Sequence, residues 1–171
     1  NWGQIKKLTA SDPNQSDVFG CRVAVYGNYI IACAVNDDEE GSNAGAAYIF
    51  NKDYDPLTPN DISANAWGQV KKLVASDASD NYFLGRSIGM YGDYLIIGAT
   101  IQDNPHGGLL IFKKDHGGTN NWGELKKLTA SAVGQGSYSS YSIGIYQDYI
   151  VMGSNQGAYI FQKDEGGTDN W

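Results

Sequence analysis

The chain has 171 residues, 42% of them hydrophobic, with 12 basic against 19 acidic side chains and a formal net charge of -7. That length and apolar content suit one domain with a sizeable core and exclude a disordered chain, while the negative balance repels a phosphate backbone and excludes nucleic acid as an expected partner. No run approaches the roughly 20 apolar residues that cross a bilayer, and Asn1-Trp2-Gly3-Gln4 lacks the layout of a signal peptide, so no membrane insertion is expected and the chain is expected to begin after any targeting segment.

Taken in chain order, the first element is the segment Trp2-Gly3-Gln4-Ile5-Lys6-Lys7-Leu8-Thr9-Ala10-Ser11, which returns at residues 67–76 and again at 122–131, with Trp171 opening a fourth copy. Such self-similarity marks a repeat architecture. The units run over residues 1–66, 67–121 and 122–171. Asn14-Gln15-Ser16 follows in a polar loop and fits the N-glycan acceptor pattern at Asn14. A second shared block, residues 23–32, 88–97 and 143–152, sets two apolar runs around Gly27-Asn28, Gly92-Asp93 or Gln147-Asp148 and reads as a hairpin. Cys21 and Cys33 fall on the two arms of the first hairpin. A three-residue loop makes them face each other as a disulfide would need, whereas a two-residue loop puts them on opposite sides.

Next comes Asn36-Asp37-Asp38-Glu39-Glu40-Gly41-Ser42-Asn43, the densest polar cluster. Oxygen-rich loops of this kind hold calcium, which takes 6 to 8 oxygen ligands, so Asn36, Asp37, Asp38 and Glu40 are candidate ligands of a Ca2+ ion; a solvated acidic loop is the other reading. The matching loops shrink to Gln102-Asp103-Asn104 and Asn155-Gln156. Each unit closes with an apolar third block, Ala47-Tyr48-Ile49-Phe50, Leu109-Leu110-Ile111-Phe112 and Ala158-Tyr159-Ile160-Phe161. The stretches from Tyr29 to Ala34 and Tyr94 to Ala99 are apolar without alternation, as expected of strands buried on both faces. With 22 glycines, 12 tyrosines and 4 prolines, many short strands and tight turns are expected throughout. The fold class is therefore all-β, in tandem four-stranded antiparallel sheets of the propeller-blade kind.

Phe19-Gly20, the Gly45-Ala46-Ala47-Tyr48 stretch and the repeated Trp-Gly strand resemble FG-GAP repeats, which also build the integrin α-chain propeller. The likeness weakens along the chain, with Leu84-Gly85 and then Ser139-Ser140 in place of Phe-Gly. In that family the segment after Phe-Gly is the innermost strand of a blade and the Trp segment the outermost. The resemblance thus implies that Lys6-Lys7, Lys71-Lys72 and Lys126-Lys127 lie on outer edges, where lysine discourages unwanted pairing. It also implies that the chain opens on an outer strand without a blade of its own and that the third blade lacks its outer strand. A following repeat, or residues 2–8 of a neighbouring subunit, would complete it by strand addition; a larger propeller containing these units is the other reading. The family sometimes binds calcium in the loop equivalent to residues 36–43, though its Asp-x-Asp-x-Asp-Gly spacing is absent here.

The turns Asp115-His116-Gly117-Gly118-Thr119 and Asp164-Glu165-Gly166-Gly167-Thr168 resemble the Asp-box turn of sialidase propellers, a bracing device. His106 and His116 have no companion at zinc-ligand spacing. No nucleophile elbow, phosphate loop or dinucleotide fingerprint occurs, and Asp37 with Glu39 sits in a glycine-bounded loop ill-suited to acid–base work. Tyr54, Tyr82 and Tyr138 lie in irregular loops, where a ring can stack on a sugar or a protein. The expected function is a non-enzymatic structural or adhesive module, extracellular or on the cell surface. Its expected partners are copies of itself or adjacent repeats. The alternative is a propeller that binds glycans or, with calcium, cell-surface proteins.

Overall fold

The structure is a computed structural model, and it describes residues 1–57, 66–100, 108–129, 139–155, 157–165 and 167–171. The loop Gln102-Asp103-Asn104 and His106, Ser131, Tyr138, Gln156 and Gly166 lie outside the described residues. Among those described, one 3₁₀ turn at Gln15–Asp17 accompanies eleven strands. The first sheet contains β1 (Phe19–Tyr26), β2 (Tyr29–Ala34), β3 (Ala46–Asn51) and β4 (Gly68–Leu73) in that order. The second repeats it with β5 (Ser87–Tyr91), β6 (Tyr94–Ala99), β7 (Gly108–Lys114) and β8 (Trp122–Leu128). The third has β9 (Ser139–Tyr146), β10 (Tyr149–Ser154) and β11 (Gly157–Gln162). All pairings are antiparallel, and each four-stranded sheet takes its outer strand from the Trp segment that opens the following unit.

The hairpins take the two-residue form. Tyr26 pairs with Tyr29, Tyr91 with Tyr94 and Tyr146 with Tyr149. The first turn residue has positive φ each time, 55° at Gly27, 58° at Gly92 and 51° at Gln147, a conformation that glycine adopts freely and glutamine does not. β3 and β4 slip register between Ile49 and Phe50, and β7 and β8 do so between Ile111 and Phe112, so the bulge is a property of the unit.

Strands β1, β5 and β9 lie side by side, and a line of rings runs across their ends, Tyr26 to Tyr91 at 5.4 Å and Tyr91 to Tyr146 at 5.2 Å. The segments after Phe-Gly are therefore inner strands, with β4 and β8 outermost, as the resemblance implied. The apolar runs are buried on both faces, again as expected. From the first sheet Ile31, Cys33, Ala47 and Ile49 enter a core shared with Met90, Ile97 and Leu110 of the second. Its other face, Ala32, Ala34, Ala46 and Tyr48, packs with Leu8 and Ala10. Ile96, Leu109 and Ile111 on the far side of the second sheet meet Ile150 and Met152 of the third. Each fully buried aliphatic side chain contributes about 1.5–3 kcal/mol, so the contacts between sheets hold the units together.

The sheets also touch through backbone. Asn81 N donates to Ser42 O at 2.6 Å, Phe83 N to Asn43 O at 2.9 Å and Leu84 N to Ala44 O at 2.9 Å. A Cβ on Gly45, where φ is 81°, would lie 2.3 Å from Leu84 O, so only glycine admits this ladder. The Gly-Ala part of one repeat and the Phe-Gly position of the next are thus two halves of one contact.

Residues 1–10 form no strand, which departs from the outer strand expected there, yet they occupy its place. Ser11 N donates to Gln69 Oε1 and Gln69 Nε2 to Ser11 Oγ, both at 2.9 Å, just as Ser76 meets Glu124 at the next interval, at 2.8 and 3.0 Å. Among the described residues the segment has no strand to pair with, so docking proceeds without a ladder. The lysines of the outer strands also depart from the expected edge protection. Lys71 of β4 donates to Asn121, which precedes β8 of the second sheet, and Lys126 of β8 to Asn170, which follows the third, so both tether sheets.

Candidate functional site

The acidic loop between β2 and β3 is organised around a lysine. A hydrogen-bonded turn after β2 puts Asp37 inward, where it is buried with its Oδ2 2.8 Å from both the Tyr48 hydroxyl and Lys72 Nζ. Lys72 also pairs with Asp12 at 2.6 Å and with Glu39, and it lies 5.4 Å from the Tyr48 ring centroid. Burial works against the Lys72 charge, but its bonds to Asp12, Asp37, Glu39 and Tyr48 outweigh that and hold the ammonium above its usual range. For Asp12 burial is likewise outweighed, by bonds from Lys72 and Tyr48, and its carboxyl is held below its usual range.

Asp17 ends the 3₁₀ turn and is buried, with Oδ1 lacking a hydrogen-bond partner among the described residues. Burial, then the charges of Asp37 and Asp38, push its carboxyl up. The next unit has Tyr82 at this position, with its hydroxyl 2.7 Å from Asp77 Oδ1. Of the expected calcium ligands, Asp37 is engaged by Lys72 and Tyr48, and Asp38 Oδ1 accepts from Asn43 N at 2.7 Å. Asn36 Nδ2 points to Ser16 O at 3.4 Å. Glu40 is exposed, and no group of three or more His, Cys, Asp or Glu side chains converges as a metal set among the described residues. What the loop does gather is an internal cation, Lys72.

The second feature lies at the hairpin ends, between the first and second sheets. A cleft with a volume of about 660 Å³ is lined by Tyr26, Tyr29, Tyr54, Asp53, Asp93 and Lys114, together with amides from the adjoining turns. Its floor is set by Trp122, which opens β8 fully buried and meets the Tyr29 ring edge-on at 5.4 Å. Lys114 Nζ lies 5.6 Å from the Tyr29 centroid, and its bond with the Tyr29 hydroxyl raises the ammonium above its usual range. Asn28 Nδ2 donates to Asp53 Oδ2 at 2.8 Å.

The equivalent junction between the second and third sheets contains the same parts, with Trp171 edge-on to Tyr94 at 5.6 Å. Here Asp169 accepts bonds from the Tyr94 hydroxyl and from Lys113, and Lys163 stands 3.8 Å away. The bond from Lys113, followed by that from Tyr94, holds the Asp169 carboxyl below its usual range. The glycine turns brace both junctions as expected. Asp115 Oδ1 accepts from Asn120 N at 2.5 Å and Asp164 Oδ1 from Asp169 N at 2.6 Å. Asn121 and Asn170 add side-chain bonds to His116 O and Glu165 O, both at 2.8 Å.

The two-residue hairpin decides the cysteine register. Arg22 pairs opposite Cys33, and a bulge follows Phe19. Cys21 and Cys33 are free thiols, with Cys21 Sγ donating to Cys33 O at 3.3 Å, so the directly facing pair that a three-residue loop would give does not form. Burial pushes the Cys33 thiol up. Asn14 is exposed and caps the 3₁₀ turn, with Oδ1 accepting from Ser16 N at 3.2 Å and Ser16 Oγ at 2.8 Å. Of the loop tyrosines, Tyr54 lines the cleft, while Tyr82 is buried in the core shared by the first two sheets. His116 is exposed in its turn. The sequence reading missed Lys72, Lys114, Asn120 and Asp169; setting residues 115–122 against 164–171 would have isolated the Asn120 to Asp169 difference.

No helix among the described residues is long and apolar enough to cross a membrane. No curated protein and no solved structure matches the chain. The family model described as the FG-GAP repeat matches residues 2–50 and 67–112, more than half of the chain, each match opening on a Trp segment and closing on the third strand of a sheet. With its inner Phe-Gly strands, its outer Trp strands and its Gly45 contact, the chain belongs to the FG-GAP repeat family and is a module of β-propeller-type repeats.

Proposed function

We propose that this chain is a non-enzymatic extracellular module, structural or adhesive, that stacks its blades head to tail with those of further copies, as in a fibre or surface appendage. One observation carries the reading. Ile31 and Ile49 of the first sheet and Ile96 and Ile111 of the second are 0% exposed, whereas their counterparts on the third, Val151 and Ile160, are 39% and 70% exposed. At the opposite end Val23 and Val25 are 65% and 70% exposed, and Met90, which matches Val25, is 9%. The third sheet's far face and the inner-strand part of the first sheet's, whose residues Ala32, Tyr48 and Phe50 already lie under Leu8 and Ala10, are complementary halves of a contact that the chain makes twice within itself. A copy of the same chain therefore supplies the fitting occupant, through a heterologous interface that yields a filament or a ring. FG-GAP membership supports the extracellular, non-enzymatic reading. Exposed Asn14, in its acceptor triplet, is a suitable glycan attachment point.

Sedimentation velocity over a concentration series, with electron microscopy of the assembled species, tests the reading. Association that grows with concentration and disappears in Val25→Glu and in Ile160→Glu is expected. A chain that stays monomeric at every concentration would refute it.

A further inference from the structure

The two junctions between sheets are built from matching residues. Tyr29 pairs with Asn51 across its strands as Tyr94 pairs with Lys113, and Lys114 and Lys163 follow at the same position. Asn120 and Asp169 each stand two residues before the junction tryptophan, and the backbone N–H of each donates to the aspartate that opens its turn, Asp115 or Asp164. At the second junction the notch is filled from within by the Asp169 carboxylate, on Tyr94, Lys113 and Lys163. At the first, the counterpart is the neutral amide of Asn120. Lys114 rests against Tyr29 with no carboxylate at salt-bridge distance among the described residues, and the space opens into the cleft described above.

We infer that this cleft binds a carboxylate-bearing sugar, a hexuronate of an acidic saccharide, whose carboxylate sits on Tyr29 and beside Lys114 as Asp169 sits on Tyr94 and beside Lys163, with the Asn51 amide where Lys113 bonds Asp169. The chain thus carries its own template for the ligand. Charge-assisted bonds from an ammonium and a phenol are what a carboxylate requires. Asp53 and Asp93 on the rim have counterparts in Asp115 and Asp148 at the second junction, where Lys113 and Lys163 both stand by the carboxylate; at the first, Asn51 replaces Lys113 and Lys114 is the one cation among the described lining residues.

The rest of the lining selects a sugar over an acidic peptide. Tyr26 and Tyr54 offer apolar ring surface for the C–H face of a pyranose, and the amides of Asn28, Asn51 and Asn120 offer donors and acceptors for hydroxyls. Hairpin turns bound the cleft, so a peptide backbone finds no strand edge to extend. The volume lies within the range of small-ligand sites. The groove belongs to the single chain and does not depend on assembly.

Calorimetric titration of the whole chain with a galacturonate trimer, its methyl ester and a glutamate-rich peptide tests the inference. Lys114→Ala and Asn120→Asp are titrated alongside, after thermal melts establish that each is folded. The acid trimer is expected to bind, and the ester to bind about tenfold or more weakly, as loss of a charge-assisted bond requires. Asn120→Asp recreates the internal carboxylate and should abolish binding, while Lys114→Ala should weaken it about tenfold or more. Absence of trimer binding, equal binding of acid and ester, retained affinity in Asn120→Asp, or preference for the peptide would each overturn the inference. Should one variant fail to fold, the comparison of acid with ester on the native chain still decides the matter.

Discussion

Replacing Gly45 with alanine puts a methyl group where the backbone of the second sheet's entry loop already lies. The added Cβ would sit 2.3 Å from Leu84 O and 2.6 Å from Leu84 N, against 3.4 Å or more for ordinary contact, so that loop must retreat by about 1 Å. Such a retreat stretches the 2.9 Å bonds from Phe83 N to Asn43 O and from Leu84 N to Ala44 O to lengths at which they no longer count as hydrogen bonds. Two bonds at about 1 kcal/mol each, plus about 1–2 kcal/mol for alanine at positive φ, give a loss of about 3–4 kcal/mol. Gly27→Ala provides the control, since it also has positive φ, 55°, but nothing lies within 4 Å of its added Cβ, so about 1–2 kcal/mol is expected. Urea unfolding gives both differences, and amide exchange at Phe83 and Leu84 should accelerate in the first variant alone. If Gly45→Ala costs no more than Gly27→Ala, the contact between blades is not what requires glycine here.

Asp17→Asn should stabilise the protein at neutral pH. The folded state holds this carboxyl above its ordinary range, so it binds the proton more tightly than the unfolded chain does, and ionisation costs stability as pH rises from the unfolded value through the folded one. The variant is therefore expected to gain about 1 kcal/mol at pH 7, with the gain vanishing below about pH 4; denaturation midpoints across pH read it, and a gap independent of pH would contradict it. Gln147→Gly should raise stability by about 0.5–1 kcal/mol, because Gln147 holds the positive φ, 51°, that Gly27 and Gly92 fill in the other hairpins. A fall in melting temperature would count against that reading of the turn.

Repetition in the sequence was enough to determine the strands after residue 18 and their order within each sheet, though not that residues 1–10 dock without forming one. A segment such as Tyr-Ile-Ile-Ala-Cys-Ala, apolar on every residue and bounded by turn residues, has one low-energy use, as a strand covered on both faces. The hairpin loop length was open on sequence grounds, because two or three residues both suit a Gly-Asn turn. The register of packed sheets chose two and thereby set Arg22 opposite Cys33.

The acidic loop shows the same limit. Its internal partner could not be read locally, because Lys72 lies 33 residues beyond Glu39 and reaches the loop only after β4 pairs with β3. The cleft at the first junction depends on tertiary structure in the same way. Tyr29, Tyr54, Lys114 and Asn120 come from different turns of two units, and only the packing of one sheet on the next brings an ammonium, a phenol and amides around one space. Local pattern fixes the strands because the backbone's hydrogen-bonding demand and side-chain alternation are local. Which charges meet is decided by contacts between units, whose geometry exists only once the apolar faces have closed on each other.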